Sequence, residues 1–211
     1  MAVHTLDVGL RGTRDYIQGS QILSRTGELL QGEATGPIEL VTAKFTQITQ
    51  QGVRVALDAD DIVDGVEIGS AQYATPDGRR TARFHEVAGP PAHRIDDVAK
   101  VTADLVADAD GNASCTFAIS GTFESYLVAV IEFVKAAHAR RGEDVVDIWF
   151  TALMGAHLPL AATYPTSGTL RLTPKIERLV DGRLQTLGLV DTDGPGAPPT
   201  FQICFSCVVR T

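Results

Sequence analysis

A chain of 211 residues is long enough for one large domain or two small ones, and its 44% apolar content supports a sizeable core. The formal net charge of −8 argues against nucleic acid, whose phosphates require a basic footprint, and against adsorption to an anionic membrane. No run approaches the ~20 apolar residues of a membrane span, and MAVHTLDVGLRG lacks the basic-then-apolar pattern of a signal peptide, so a cytoplasmic location is the default expectation.

The first predicted element is a strand with alternating Thr5, Leu6 and Val8. The stretch DYIQGSQILSRTGELL follows with the apolar spacing of a helix. It is an odd helix. Gly19 and Gly27 each cost ~1 kcal/mol relative to alanine in a helix interior, and Gln18, Ser20, Gln21 and Ser24 form a polar belt. Asp15 stands at its start and Gly32 at its stop, the places of an N-cap and a C-terminal glycine.

AKFTQITQQGVRVALD reads as an aromatic, a short polar stretch, a glycine and an alternating strand. TPDGRRTARFHEVAG places Asp-Gly between alternating segments, a strong hairpin signal. Its Arg79, Arg80 and Arg83 read either as a solvated hairpin tip or as a phosphate contact. Pro90 and Pro91 break regular structure. KVTADLVADADGNASCTFAIS then reads as strand, Asp-Gly-Asn turn and strand.

The second helix, SYLVAVIEFVKAAHA, is apolar on nearly every side, which predicts burial all round. Arg140 and Arg141 read either as cations suited to its C-terminal dipole or as a phosphate contact, and Gly142 marks its stop. ATYPTSGTLRLTP and LVDGRLQTLGLVDTDG give further strands with a second Asp-Gly hairpin, and FQICFSCVVR a last strand.

The order strand, helix, several antiparallel strands thus occurs twice, with a period of about 110 residues that is too long for a solenoid. A duplicated α+β domain is expected: residues 1–88 and 112–211 are the repeats and 89–111 joins them, the whole packing as one compact unit with a fused sheet.

A long buried helix wrapped by a curved antiparallel sheet is the hotdog arrangement, and the chain resembles the hotdog superfamily in its double-hotdog form. YIQGSQIL is similar to the small-residue opening of the central helix in hotdog thioesterases and acyl-carrier-protein dehydratases, and AKFTQITQQGVRVAL to the strand pair that follows it. The resemblance implies two long central helices on a shared sheet, and action on acyl thioesters of coenzyme A or acyl carrier protein. Hydrolysis is favoured over β-hydroxyacyl dehydration, because no histidine precedes either helix in VGLRGTR or SGTFES. The acidic balance favours coenzyme A over an acidic carrier. Edge-to-edge association of hotdog sheets implies a homo-oligomer. A non-catalytic shell binding an acyl or other small apolar ligand is the alternative.

Thioester chemistry needs a carboxylate or histidine to activate water or remove a proton, and a donor for the thioester oxygen. Gly19 and Ser20 suit the donor, although Gly19 also permits close helix packing. Glu28 is the leading base candidate, with a solvated helix-end residue as its alternative, and helix alignment matches it to His138. Glu132 lies in the most apolar helix, where it is a buried acid or base, a partner of Lys135, or a polar edge facing solvent. Asp15 is a third candidate or a plain N-cap. Tyr16 and Tyr126 line an acyl pocket or sit in the core with bonded hydroxyls. Arg79 and Arg80 are the substrate-binding cations if the phosphate reading holds. His4, His85, His93 and His157 show no ligand spacing, so neither metal nor cofactor is expected. Cys204 and Cys207 have CxxC spacing within a strand, where residues three apart face opposite sides. Together with Cys115 they read as small apolar residues.

Overall fold

The computed structural model describes residues 3–12, 14–57, 61, 63–89, 93–95, 102–140, 142 and 145–209. Pro90, Pro91, Lys100, Val101 and Arg141, named above, lie outside the described residues. In chain order the elements are β1 (Val3–Thr5), β2 (Leu10–Arg11), α1 (Gly19–Glu33), β3 (Glu39–Phe45), β4 (Gly52–Ala56), β5 (Val66–Thr75), β6 (Gly78–Val87) and β7 (Arg94–Ile95). Then come β8 (Thr102–Ala107), β9 (Ala113–Ala118), α2 (Phe123–Ala139), β10 (Val145–Met154), β11 (Leu158–Pro159), β12 (Ser167–Val180), β13 (Arg183–Thr192) and β14 (Phe201–Val209). No described helix is long and apolar enough to cross a membrane.

The chain divides into two compact units, residues 1–99 with 157–161, and residues 100–156 with 162–211. In the first, β1, β4, β6, β5 and β3 lie side by side, all antiparallel, and β11 adds to β3. Alternation buries one face: Val53 and Val55 on β4 pair across with Glu86 and Phe84 on β6, and Val53, Val55 and Phe84 are fully buried. Tyr73 on β5 is also fully buried, and its hydroxyl donates to the Leu23 carbonyl of α1 at 3.0 Å, tying helix to sheet. A small parallel pair, β2 with β7, stands apart from this sheet.

In the second unit the order is β10, β14, β13, β12, β9 and β8, again antiparallel. Helix α2 begins with a capping box, in which Thr122 accepts from Ser125 N–H while Ser125 Oγ accepts from Thr122 N–H. The expected burial is present: Tyr126, Leu127, Ala129, Val130 and Phe133 are all fully buried. Burying five such side chains of α2 stabilises the unit by roughly 1.5–3 kcal/mol for each large one. Tyr126 stacks on Tyr164 with centroids 4.7 Å apart.

Three local expectations change. First, α1 starts at Gly19 rather than at Asp15. The Ile17 N–H donates to the Thr49 carbonyl at 2.8 Å, which holds residues before Gln18 outside the helix. Gly32 falls inside the last turn, and the C-cap is Ala34 in extended conformation. Second, the two Asp-Gly dipeptides make different turns. Asp181 and Gly182 both have positive φ (49° and 73°) between the closing pair Val180 and Arg183, as a type I′ turn requires. In the other hairpin Thr75 pairs with Gly78, so Pro76 and Asp77 are central, and proline cannot take positive φ. Third, the turns are not equivalent in the repeat. Counting from each helix, one joins the third and fourth strands (β5–β6), the other the second and third long ones (β12–β13). A local turn signal marks a hairpin but not its place in a sheet.

Candidate functional site

The amino end of α1 is the most unusual part of the first unit. Gln18 is its N-cap, in extended conformation (φ −80°, ψ 136°), and no side chain caps the helix. No acidic residue occupies the first turn. Gly19 is the first helical residue, so its cost is smaller than in a helix interior. The amino end keeps the partial positive charge of the helix dipole and N–H groups that lack helical partners.

The polar belt is buried. Gln18 is 7% exposed, Ser20 1%, Gln21 2%, Ser24 6% and Thr26 0%. Gln21 Oε1 accepts from Gly9 N–H at 3.1 Å. Gln18 Oε1, Gln21 Nε2 and Thr26 Oγ1 are buried and have no hydrogen-bond partner among the described residues. Each such atom costs ~1–3 kcal/mol relative to a satisfied one. Gln31 Oε1 farther along is a fourth such atom, and two of the four, on Gln18 and Gln21, belong to the amino end of α1.

Farther along the helix, Gly27 meets a side chain at close range: a Cβ there would lie 2.8 Å from Leu160 Cδ1, so the end of the leucine would have to move aside. Gly27 is therefore a packing glycine against the chain segment that carries β11.

Asp15, Tyr16, Gly19 and Ser20 fall together at this amino end. Asp15 is exposed, just before the helix, and accepts from Gln50 Nε2 at 3.2 Å. Tyr16 is half-buried and Ser20 fully buried. Glu28 lies away from them on the exposed side of α1, with both carboxylate oxygens 2.8 Å from Arg25 Nη1. Arg79 is exposed. Arg80 donates to Glu33 at 3.1 Å and to the Leu57 carbonyl at 3.5 Å, so it fastens the β5–β6 hairpin to the end of α1.

The remaining candidates belong to α2. Glu132 is half-buried. His138 is 2% exposed; its Nδ1 lies 2.9 Å from the Val134 carbonyl and its Nε2 2.6 Å from Thr186 Oγ1. A carbonyl only accepts, so Nδ1 carries the proton, and in the neutral ring Thr186 donates to Nε2. The Tyr126 hydroxyl bonds Thr192 Oγ1 at 2.7 Å, and burial pushes its ionisation above the usual tyrosine range. These buried polar groups of α2 thus find their partners on β13 and in the backbone of the helix itself.

No disulfide joins Cys115, Cys204 and Cys207, and burial pushes the Cys115 thiol up to about 12 and raises that of Cys204. His157 is exposed, 3.2 Å from Glu39.

Sequence reasoning singled out the belt but not the particular groups, Gln18 and Gln21, that carry unpartnered atoms. The signal was present as amides at apolar-spaced helix positions. His85 was also passed over. It is 8% exposed on β6, opposite Arg54 and Glu67, and neither ring nitrogen has a partner among the described residues.

One helix on an antiparallel sheet, found in each unit, is the hotdog arrangement, and the chain has the double-hotdog fold. Solved structures agree over nearly the whole length. GphF Dehydratase 1 is similar with a TM-score of 0.55 at 10% identity, covering 99% of this chain and 93% of that one. A putative thioesterase II from Thermobifida fusca gives 0.55 at 11% identity, covering 99% and 92%. The tesB protein of Mycobacterium avium subs paratuberculosis gives 0.52 at 13% identity, covering 97% and 91%. At such identities the likeness is one of fold. No protein-family model matches the sequence, and no curated protein matches it.

Proposed function

We propose that the protein hydrolyses acyl thioesters, with the thioester carbonyl held at the amino end of α1. The observation that carries this reading is the buried, uncapped start of that helix with its unpartnered amides. The N–H groups of Gly19 and Ser20 are the donors to the carbonyl oxygen, where negative charge grows as water attacks. Gly19, without a side chain, leaves room for the acyl carbon to approach. Asp15, held by Gln50 next to the same helix end, is the carboxylate that takes the proton of the attacking water. The C–S bond then breaks, and the departing thiolate receives that proton.

The fold supports the choice of substrate class, since similar structures include proteins named as dehydratase and thioesterase. Of the two activities, hydrolysis is preferred because no histidine lies just before either helix. The test is thiol release from a panel of acyl-CoA and acyl-carrier-protein thioesters. Turnover of at least one thioester is expected.

A second reading, a binding shell without turnover, is favoured by one observation. Two of the expected acid–base groups are already engaged, Glu28 by Arg25 and His138 by Val134 and Thr186. No thiol release together with thermal stabilisation by acyl-CoA would select it.

A further inference from the structure

The contact between Gly9 and Gln21 fixes the orientation of the Gln21 amide. A backbone N–H can only donate, so the side-chain oxygen must face it, and Oε1 does so at 3.1 Å. The Nε2 group, with two N–H donors, is therefore turned away from Gly9. It is buried, its residue is 2% exposed, and it has no partner among the described residues.

Gly9 itself is held in place. A Cβ there would lie 2.8 Å from the His93 carbonyl oxygen and 2.9 Å from Ile95, and the Leu10 N–H donates to the same His93 carbonyl. The strap formed by β2 and β7 thus sets the N–H that sets the amide. Side chains on a helix lean toward its amino end. Gln21 lies in the first turn of α1, two residues after Gly19 and next to Ser20.

A buried donor with no acceptor is costly, and the Gly9 N–H accounts for the oxygen of this amide but not for its Nε2 group. A donor aimed at a ligand oxygen explains its presence. We propose that Gln21 Nε2 donates a hydrogen bond to the carbonyl oxygen of the bound acyl ligand, beside the N–H groups of Gly19 and Ser20. The inference rests on the acyl-thioester reading and adds to it a side-chain donor whose direction is set by Gly9. The ligand class that fits is a neutral carbonyl compound.

The experiment compares two coenzyme A probes of equal chain length that cannot be hydrolysed. One is a 2-oxoalkyl thioether, which keeps a carbonyl, and the other a plain alkyl thioether, which lacks it. Binding to the full chain is measured by calorimetry. Wild type is expected to bind the oxo probe about tenfold more tightly than the alkyl probe. Gln21→Met should abolish that ratio while leaving the alkyl probe unchanged, a pattern that mere loss of stability does not produce. If Gln21→Met does not fold, Gln21→Glu, which keeps an oxygen for Gly9 N–H, carries the test with the same expected loss. An equal ratio in variant and wild type, or no preference in wild type, overturns the role of Gln21. Thiol release by wild type is scored separately, so turnover with an unchanged ratio sinks this inference alone. Binding of neither probe by wild type sinks both readings.

Discussion

Leu160 packs against Gly27 so closely that a Cβ on the glycine would sit 2.8 Å from one leucine methyl and 3.0 Å from the other. A glycine in the buried middle of α1 is thereby matched to a side chain from the far half of the sequence. The atoms met are the terminal methyls of a half-buried side chain that can move aside, so Gly27→Ala is expected to change stability by less than about 1 kcal/mol, the crowding offsetting the ~1 kcal/mol gained in helix propensity. In a Leu160→Ala background the same change should become stabilising. Urea denaturation of the four variants in a double-mutant cycle measures the coupling. Additive effects would show that Leu160 is not the source of the crowding.

His138 is held by Thr186 at 2.6 Å in the interior of the second unit. Thr186→Val leaves a buried ring nitrogen without a partner and should cost ~1–3 kcal/mol. Thr186→Ser keeps the hydroxyl and should cost less. The ranking is read from chemical denaturation midpoints. A valine variant as stable as wild type would contradict the role given to this bond.

Tyr73 and Tyr126 ionise only above the usual tyrosine range, in both cases chiefly because burial disfavours the phenolate. A folded-state pKa above the unfolded one means that the folded state keeps its proton longer. The stability this represents is full below the unfolded value of about 10 and is lost as pH rises past it. The protein should therefore unfold in alkali, with phenolate absorbance at 295 nm rising together with loss of helical circular dichroism. In a Tyr73→Phe, Tyr126→Phe variant the cooperative part of that rise should shrink. A smooth titration of all tyrosines with the fold intact would overturn the assignment.

Asp15 and Glu28 are separated by their surroundings. Glu28 is exposed and bound on both oxygens by Arg25, while Asp15 stands beside the start of α1 with Gln50 as its polar partner. Asp15→Asn should lower thiol release ~10²-fold. Glu28→Gln should leave it within about twofold, because a surface pair of this kind contributes ~0–1 kcal/mol. The reverse outcome would move the base to Glu28.

Much of the fold was legible because it is written in local periodicity. The apolar residues between Leu127 and Val134 require a helix buried on nearly every side, and the fold buries them all, with only Glu132 among them half-buried. The Asp181-Gly182 turn and the Asp108–Asn112 turn follow from residues that tolerate or satisfy turn backbone. Asp108 accepts from the N–H of both Asp110 and Asn112. Where a local signal competes with a distant partner, the partner decides. Asp15 looks like an N-cap, yet the Ile17–Thr49 bond delays the helix to Gly19.

The candidate site divides in the same way. Composition alone marked α1 as the polar helix and α2 as its apolar counterpart, because buried amides and hydroxyls stand out at helix spacing. Which of those groups are satisfied is a matter of atoms far apart in the chain: Gly9 for Gln21, Leu160 for Gly27, Thr186 for His138. Periodicity is a property of neighbours along the chain, so the sequence determined the elements and their buried faces. Hydrogen-bond partnership and close contact depend on which elements meet, so only the tertiary structure decided that Gln21 keeps a free donor, that Glu28 faces solvent and that His138 is fully engaged.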